Sequence, residues 1–187
     1  MKARVGVLIS GRGSNMMALA QAARDPACPY AIALVASDKA DAPGLGWAHE
    51  QGLATFAAPP GKAAREAAID AALRGAGVGT IALAGYMRLL SDDFVARWRG
   101  KIINIHPSLL PLYKGLDTHA RAIAAGDAEA GCSVHVVTEE LDGGAVLGQA
   151  RLPILPGDTP ETLAERVLAQ EHLLYPQVLA EFVEHEP

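Results

Sequence analysis

Asn104 and His106 lie two residues apart in an otherwise β-branched apolar run, Lys101-Ile-Ile-Asn-Ile-His-Pro107. In an extended chain alternate side chains share a face, so the amide and the imidazole point together while Ile103 and Ile105 point the other way. Pro107 lacks the N–H for another ladder bond and closes the strand. Polar groups at the carboxyl end of a buried strand stand where open α/β sheets hold their ligands. They can equally well cap nearby backbone, and this segment alone leaves both readings open. A third group is Asp142 in Leu141-Asp-Gly-Gly144, where two glycines relax the backbone enough to aim the carboxylate inward. A carboxylate beside an imidazole can hold it, favour its charged form and itself accept a proton. Asp-Gly is also a common hairpin turn.

Two further segments carry binding chemistry. Ser10-Gly-Arg-Gly-Ser-Asn15 joins an apolar run to a helical one. Glycines let the backbone turn sharply and approach a ligand, and free N–H groups at a helix start favour an anion. Asp38, at the end of the second strand, invites a dinucleotide reading, but Met16 occupies the position where that fingerprint needs its third glycine. Gly13, Ser14 and Asn15 therefore read as a cradle for one phosphate, or as a tight turn with Ser14 or Asn15 as a plain cap. Gly85-Tyr-Met-Arg-Leu-Leu90 mixes apolar side chains with one Arg. Met87, Arg88, Leu89 and Leu90 can wrap a flat heterocycle, or edge the core.

The elements that must position these groups follow from periodicity. Short β-branched runs alternate with Ala-rich stretches of helical period, which predicts an α/β fold: a Rossmann-like, mostly parallel sheet flanked by helices. Strands are expected at Val5–Ile9, Ile32–Ser37, near Thr55, at Thr80–Ala84, Lys101–His106, Ser133–Val137 and Val146–Leu152. Helices are expected at Asn15–Arg24, Leu45–Gln51, Ala63–Arg74, Asp92–Trp98 and His119–Ala125. A last helix starts at Asp158-Thr-Pro-Glu161 and runs to about Val183 on a stripe of Leu163, Val167, Leu174 and Val178. Ser133 and His135 share a strand face and can join a polar network. With no repeat or linker, residues 1–187 read as a single domain, with a phosphate-binding half over about 1–100 and a catalytic half over about 101–187.

Bulk composition narrows the function classes. Half of the 187 residues are apolar, the net charge is −5, and no block is rich in Lys or Arg, which disfavours nucleic acid or an anionic membrane as partner. Cys28 and Cys132 are too few for a disulfide framework, and the six His form no HxH or HExxH pair, so no metal is expected. The brief apolar start reads as a strand rather than a signal peptide, and the expected location is cytoplasmic.

Together, Leu8–Asn15, Gly85–Arg88, Asn104–Pro111, Gly131–Gly144 and the Gln170-Glu171-His172 and Tyr175-Pro176 segments resemble the folate-dependent formyltransferases, in particular the phosphoribosylglycinamide formyltransferases of purine biosynthesis. The resemblance covers essentially the whole chain. It implies transfer of a formyl group from 10-formyltetrahydrofolate, a co-substrate, to the amine of glycinamide ribonucleotide, with no metal, by a monomer or homodimer. It assigns catalysis to Asn104, His106 and Asp142, and substrate binding to Gly13, Ser14, Asn15 and, at the ribose, Glu171. The folate pocket falls on Met87, Arg88, Leu89, Leu90, Asn104 and Asp142. Tyr113-Lys-Gly-Leu-Asp117 carries two charges where other members have small or apolar residues. The alternatives are a formyltetrahydrofolate hydrolase-like enzyme, disfavoured by the glycine loop, and a non-catalytic Rossmann-type nucleotide-binding domain, disfavoured by the Asn104, His106 and Asp142 set.

Overall fold

Six strands running one way and a single strand running against them form one sheet whose order explains where a ligand must bind. The computed structural model describes residues 1–185. In chain order the elements are β1 (Ala3–Ile9), α1 (Ser14–Ala22), β2 (Tyr30–Ser37), α2 (Pro43–Glu50), β3 (Thr55–Ala57), α3 (Lys62–Gly75) and β4 (Thr80–Leu83). They continue with α4 (Asp92–Arg97), β5 (Ile102–His106), α5 (Thr118–Ala125), β6 (Glu129–Val136), β7 (Val146–Pro153) and α6 (Pro160–Glu184). The strands lie in the order β3-β2-β1-β4-β5-β6-β7. The β1–β2, β2–β3, β1–β4 and β4–β5 pairs are parallel, and the β5–β6 and β6–β7 pairs are antiparallel. The chain leaves β1 toward β2 on one side and reaches β4 on the other, so a crevice opens at the carboxyl ends of β1 and β4. This is the predicted fold class, a mostly parallel α/β sheet flanked by helices.

Two apolar clusters pack on the two faces of the sheet. One joins Val5, Val7, Ile103, Ile105, Cys132 and Val134 to α1 and α6 through Met16, Leu19, Leu163, Val167 and Tyr175. The other joins Leu8, Ile81, Leu83 and Ile102 to α3 and α4 through Ile69, Leu73 and Phe94. Ile103 and Ile105 thus commit β5 to the α6 side, and period-2 alternation turns Asn104 and His106 to the opposite face.

The helix ends follow from local chemistry. α6 starts with a reciprocal Thr159–Thr162 capping box and Pro in its first turn. Its buried stripe runs Leu163, Val167, Glu171, Tyr175 and Val178. Leu174, expected on that stripe, is only half-buried at its edge; Tyr175 is fully buried in its place. Its hydroxyl reaches the carbonyls of Leu83 (2.9 Å) and Ile103 (3.2 Å), tying α6 to the ends of β4 and β5. β6 starts at Glu129, four residues before the expected Ser133, because pairing of Glu129–Cys132 with Ala150–Pro153 overrides the weak strand preference of Ala-Gly. Among the described residues no helix is long and apolar enough to cross a membrane.

Candidate active site

Two strands deliver the polar cluster. In the antiparallel β5–β6 register Asn104 lies opposite His135 and His106 opposite Ser133, so all four side chains share one face. Asp142 comes from the β6–β7 connection, which folds back over that face. Asp142 holds a left-handed backbone at φ 48°. At Gly144 an added Cβ would sit 1.8 Å from the Val136 carbonyl oxygen, so only glycine lets the connection lie this close. The carboxylate lies 3.5 Å from His106 Nδ1 through Oδ2 and 3.5 Å from His135 Nε2 through Oδ1. The Gly115 N–H donates to Oδ2 at 2.9 Å. Burial pushes the Asp142 carboxyl upward, but the contacts from His135, the Gly115 N–H and His106 outweigh it and hold it below the usual carboxylate range.

Backbone carbonyls fix the two imidazoles. His106 Nε2 lies 3.0 Å from the Tyr113 carbonyl oxygen. A carbonyl only accepts, so Nε2 carries the proton and Nδ1 is turned toward Asp142. His135 Nδ1 likewise donates to the Val136 oxygen at 3.0 Å; in the neutral ring Nε2 accepts from Asn104 Nδ2 at 3.3 Å, and in the protonated ring Nε2–H faces Asp142 instead. One Asn104 N–H is thereby held and the other is left to meet a ligand. The loop that brings Tyr113 to His106 is pinned from β6: Ser133 Oγ donates to the Ser108 oxygen (2.7 Å) and accepts from the Leu110 N–H (3.0 Å). Gln149 Nε2 donates to the Leu110 oxygen at 2.9 Å. The cluster therefore offers N–H donors and an ionised carboxylate around one point, a set suited to a carbonyl carbon under attack by an amine.

The glycine loop lines a separate cleft of about 310 Å³, with Ser10–Asn15, Lys39, Ala84, Gly85 and Met87 on its walls. These residues follow β1, β2 and β4, which is the predicted crevice. Gly13 is the N-cap residue of α1, with φ 70° and no side-chain cap; neither Ser14 nor Asn15 acts as the plain cap. Asn15 Nδ2 instead donates to Glu171 Oε2 at 2.6 Å across 156 residues of chain, so the loop and α6 share one polar contact. Burial raises the Glu171 carboxyl, and the Asn15 bond opposes that shift. Ser10 Oγ accepts from the Met87 N–H at 2.8 Å and joins this cleft to the Gly85–Leu90 segment.

That segment is divided. Met87 and Leu89 are exposed at 67% and 70%, whereas Leu90 packs against the core. Arg88 makes an ion pair with Asp38 at 2.6 Å, which uses the carboxylate that had invited the dinucleotide reading. Burial would raise the Asp38 carboxyl, but Ser10 and Arg88 hold it below its usual range. The sequence reading missed Lys39 on the cleft wall, the Tyr113 carbonyl on His106 and the Gly115 N–H on Asp142. A cation just past a strand end was a usable signal for Lys39; backbone contacts leave no trace in residue types. Among the described residues no group of three or more His, Cys, Asp or Glu can hold a metal ion.

Comparison with known proteins agrees with this geometry. The model of the family described as "Formyl transferase" matches residues 3–179. Phosphoribosylglycinamide formyltransferase of Escherichia coli (strain K12) is 42% identical over 182 residues, covering 95% of this chain and 86% of that protein. The trifunctional purine biosynthetic protein adenosine-3 of Bos taurus is 44% identical over 182 residues, covering 95% of this chain but 18% of that protein. The chain thus spans less than a fifth of the length of these trifunctional relatives. The crystal structure of phosphoribosylglycinamide formyltransferase from Brucella melitensis superposes with a TM-score of 0.94 at 52% identity, covering 100% of this chain and 98% of that one. This chain belongs to the formyl transferase family.

Proposed function

We propose that this chain transfers the formyl group of 10-formyltetrahydrofolate to the amine of glycinamide ribonucleotide, giving formylglycinamide ribonucleotide and tetrahydrofolate. The observation that carries the reading is the meeting of Asn104, His106 and Asp142 on one face, beside the glycine-loop cleft and the exposed Met87 and Leu89. The names of the full-length relatives support it. Residues 1–100 hold the phosphate, and residues 101–187 supply the chemistry and most of the folate contacts, with Met87–Leu90 reaching across as the folate shelf.

The chemistry runs directly between two bound molecules. The amine nitrogen attacks the formyl carbon, a C–N bond forms, and the carbonyl π electrons move onto oxygen. The free N–H of Asn104 and, in its protonated form, His106 Nδ1–H stabilise that oxyanion, an effect of about 3–4 kcal/mol per donor. Asp142, directly or through one water, takes the proton that the attacking nitrogen sheds and returns it to N10 of the folate. The C–N10 bond then breaks as the oxygen lone pair restores the carbonyl. Gly13, Ser14 and Asn15 hold the phosphate, and Glu171 accepts from the ribose. Holding both reactants in line supplies much of the remaining acceleration. No step needs a metal or a covalent intermediate, and a monomer or homodimer in the cytoplasm suits these small soluble substrates.

A spectrophotometric assay with 10-formyltetrahydrofolate, run with and without glycinamide ribonucleotide, tests the reading. Turnover only with both present is expected. Release of formate without the amine would instead mark a hydrolase.

A further inference from the structure

We infer that Arg12 and Lys39 form a two-cation clamp that selects a phosphorylated, dianionic amine over its dephosphorylated counterpart. The inference rests on the functional reading above and adds to it the charge that the loop backbone does not supply. Both residues line the 310 Å³ cleft, one from the β1 loop and the other from the end of β2. Among the described residues, neither is paired with a carboxylate. Other cations around the site are spent: Arg88 holds Asp38 at 2.6 Å and Lys114 holds Glu140 at 2.7 Å.

Asp38 directly precedes Lys39 and would otherwise set a negative charge beside the cleft. Its side chain is closed to solvent and its charge is met by Arg88, so the local field is left to the two free cations. The Arg12 charge is also felt at His172 on α6, whose pKa lies below its usual value through burial first and Arg12 second. The cleft is thus positive in a chain of net charge −5, which would otherwise repel a dianion.

A second feature marks the same cleft as a ligand site. Asn15 is 8% exposed, lines the cleft, and keeps a buried Oδ1 with no hydrogen-bond partner among the described residues. A buried acceptor left unpaired calls for a donor from outside the chain, such as a hydroxyl or N–H of the bound substrate. Backbone N–H groups recognise the shape of a phosphate; only the cations register that it carries two charges.

The test compares kcat/KM for glycinamide ribonucleotide and for the dephosphorylated glycinamide riboside. The variants are Arg12→Met/Lys39→Met and the charge-keeping Arg12→Lys/Lys39→Arg. Both side chains are exposed, and circular dichroism checks that each variant folds. The preference for the phosphorylated amine is expected to fall by about tenfold or more in the double Met variant. It should stay within about threefold in the charge-keeping one. An unchanged preference in the double Met variant, or an equal loss in both variants, overturns the clamp. A wild-type enzyme that shows no transfer, or no preference for the phosphate, overturns the functional reading beneath it and the clamp with it.

Discussion

The cleft at the end of β1 and the cluster at the end of β5 are separated in the sheet only by β4, yet they are finished in opposite ways. In the cluster the four polar side chains are already aimed: His106 by the Tyr113 carbonyl, His135 by the Val136 carbonyl, Asn104 by His135, and Asp142 by the Gly115 N–H. In the cleft, among the described residues, Arg12 and Lys39 have no carboxylate partner and Asn15 Oδ1 has no partner at all. A site that must stabilise charge appearing for the lifetime of a transition state gains from dipoles that need not move. A site that receives a charged group gains from leaving its own charges unpaired until the ligand arrives. Preorganisation belongs to the cluster and receptivity to the cleft.

Damage to the two regions should therefore show in different constants. Asn104→Ala removes a donor from the cluster, and kcat is expected to fall by about 10²–10³-fold while KM for the phosphorylated amine changes little. Steady-state kinetics with both substrates varied checks this, and a loss confined to KM would erase the contrast.

Glu171→Gln sharpens the contrast with a smaller effect. The folded carboxyl of Glu171 lies above its unfolded value of about 4.3, so its charged form is penalised by burial. Such a group stabilises the fold fully below the unfolded value, and that stability is lost as pH rises through the folded value. At pH 7 the Gln variant is therefore expected to melt at a higher temperature than wild type. The difference closes as pH falls below about 4.3. The same variant should bind the phosphorylated amine more weakly, because the ribose loses a charged acceptor. Thermal melts over pH 3–8, with KM measured in parallel, would refute this if the Gln variant were less stable at neutral pH.

Much of the scaffold was legible because it depends on local period. Ile103 and Ile105 alternating with Asn104 and His106 announce both the strand and the face on which the polar pair stands, and the glycine loop announces a turn into a helix. What escaped depends on long-range return of the chain. Asn15 and Glu171 are 156 residues apart, and Arg88 and Asp38 are 50 apart, so neither partnership has a sequence period. Glu171 entered the sequence reading only through family resemblance; its contact with Asn15 needed α6 to be laid against α1. Asp142 could be read as a turn residue or an inward acid, and its 3.5 Å approach to His106 needs a connection that doubles back over the sheet. Leu90 also packs on the core because the segment turns inward just before α4, a turn that no local period announces.

The most direct test of the cluster is Asp142→Asn, measured by single-turnover transfer with both substrates saturating and by equilibrium binding of each. Asn keeps the shape and can still accept from the Gly115 N–H, but it cannot carry a proton between the amine and the folate. The transfer rate is expected to fall by about 10²–10⁴-fold, with both dissociation constants within about threefold of wild type. Transfer at near wild-type rate, or a loss that lies wholly in binding, would contradict it.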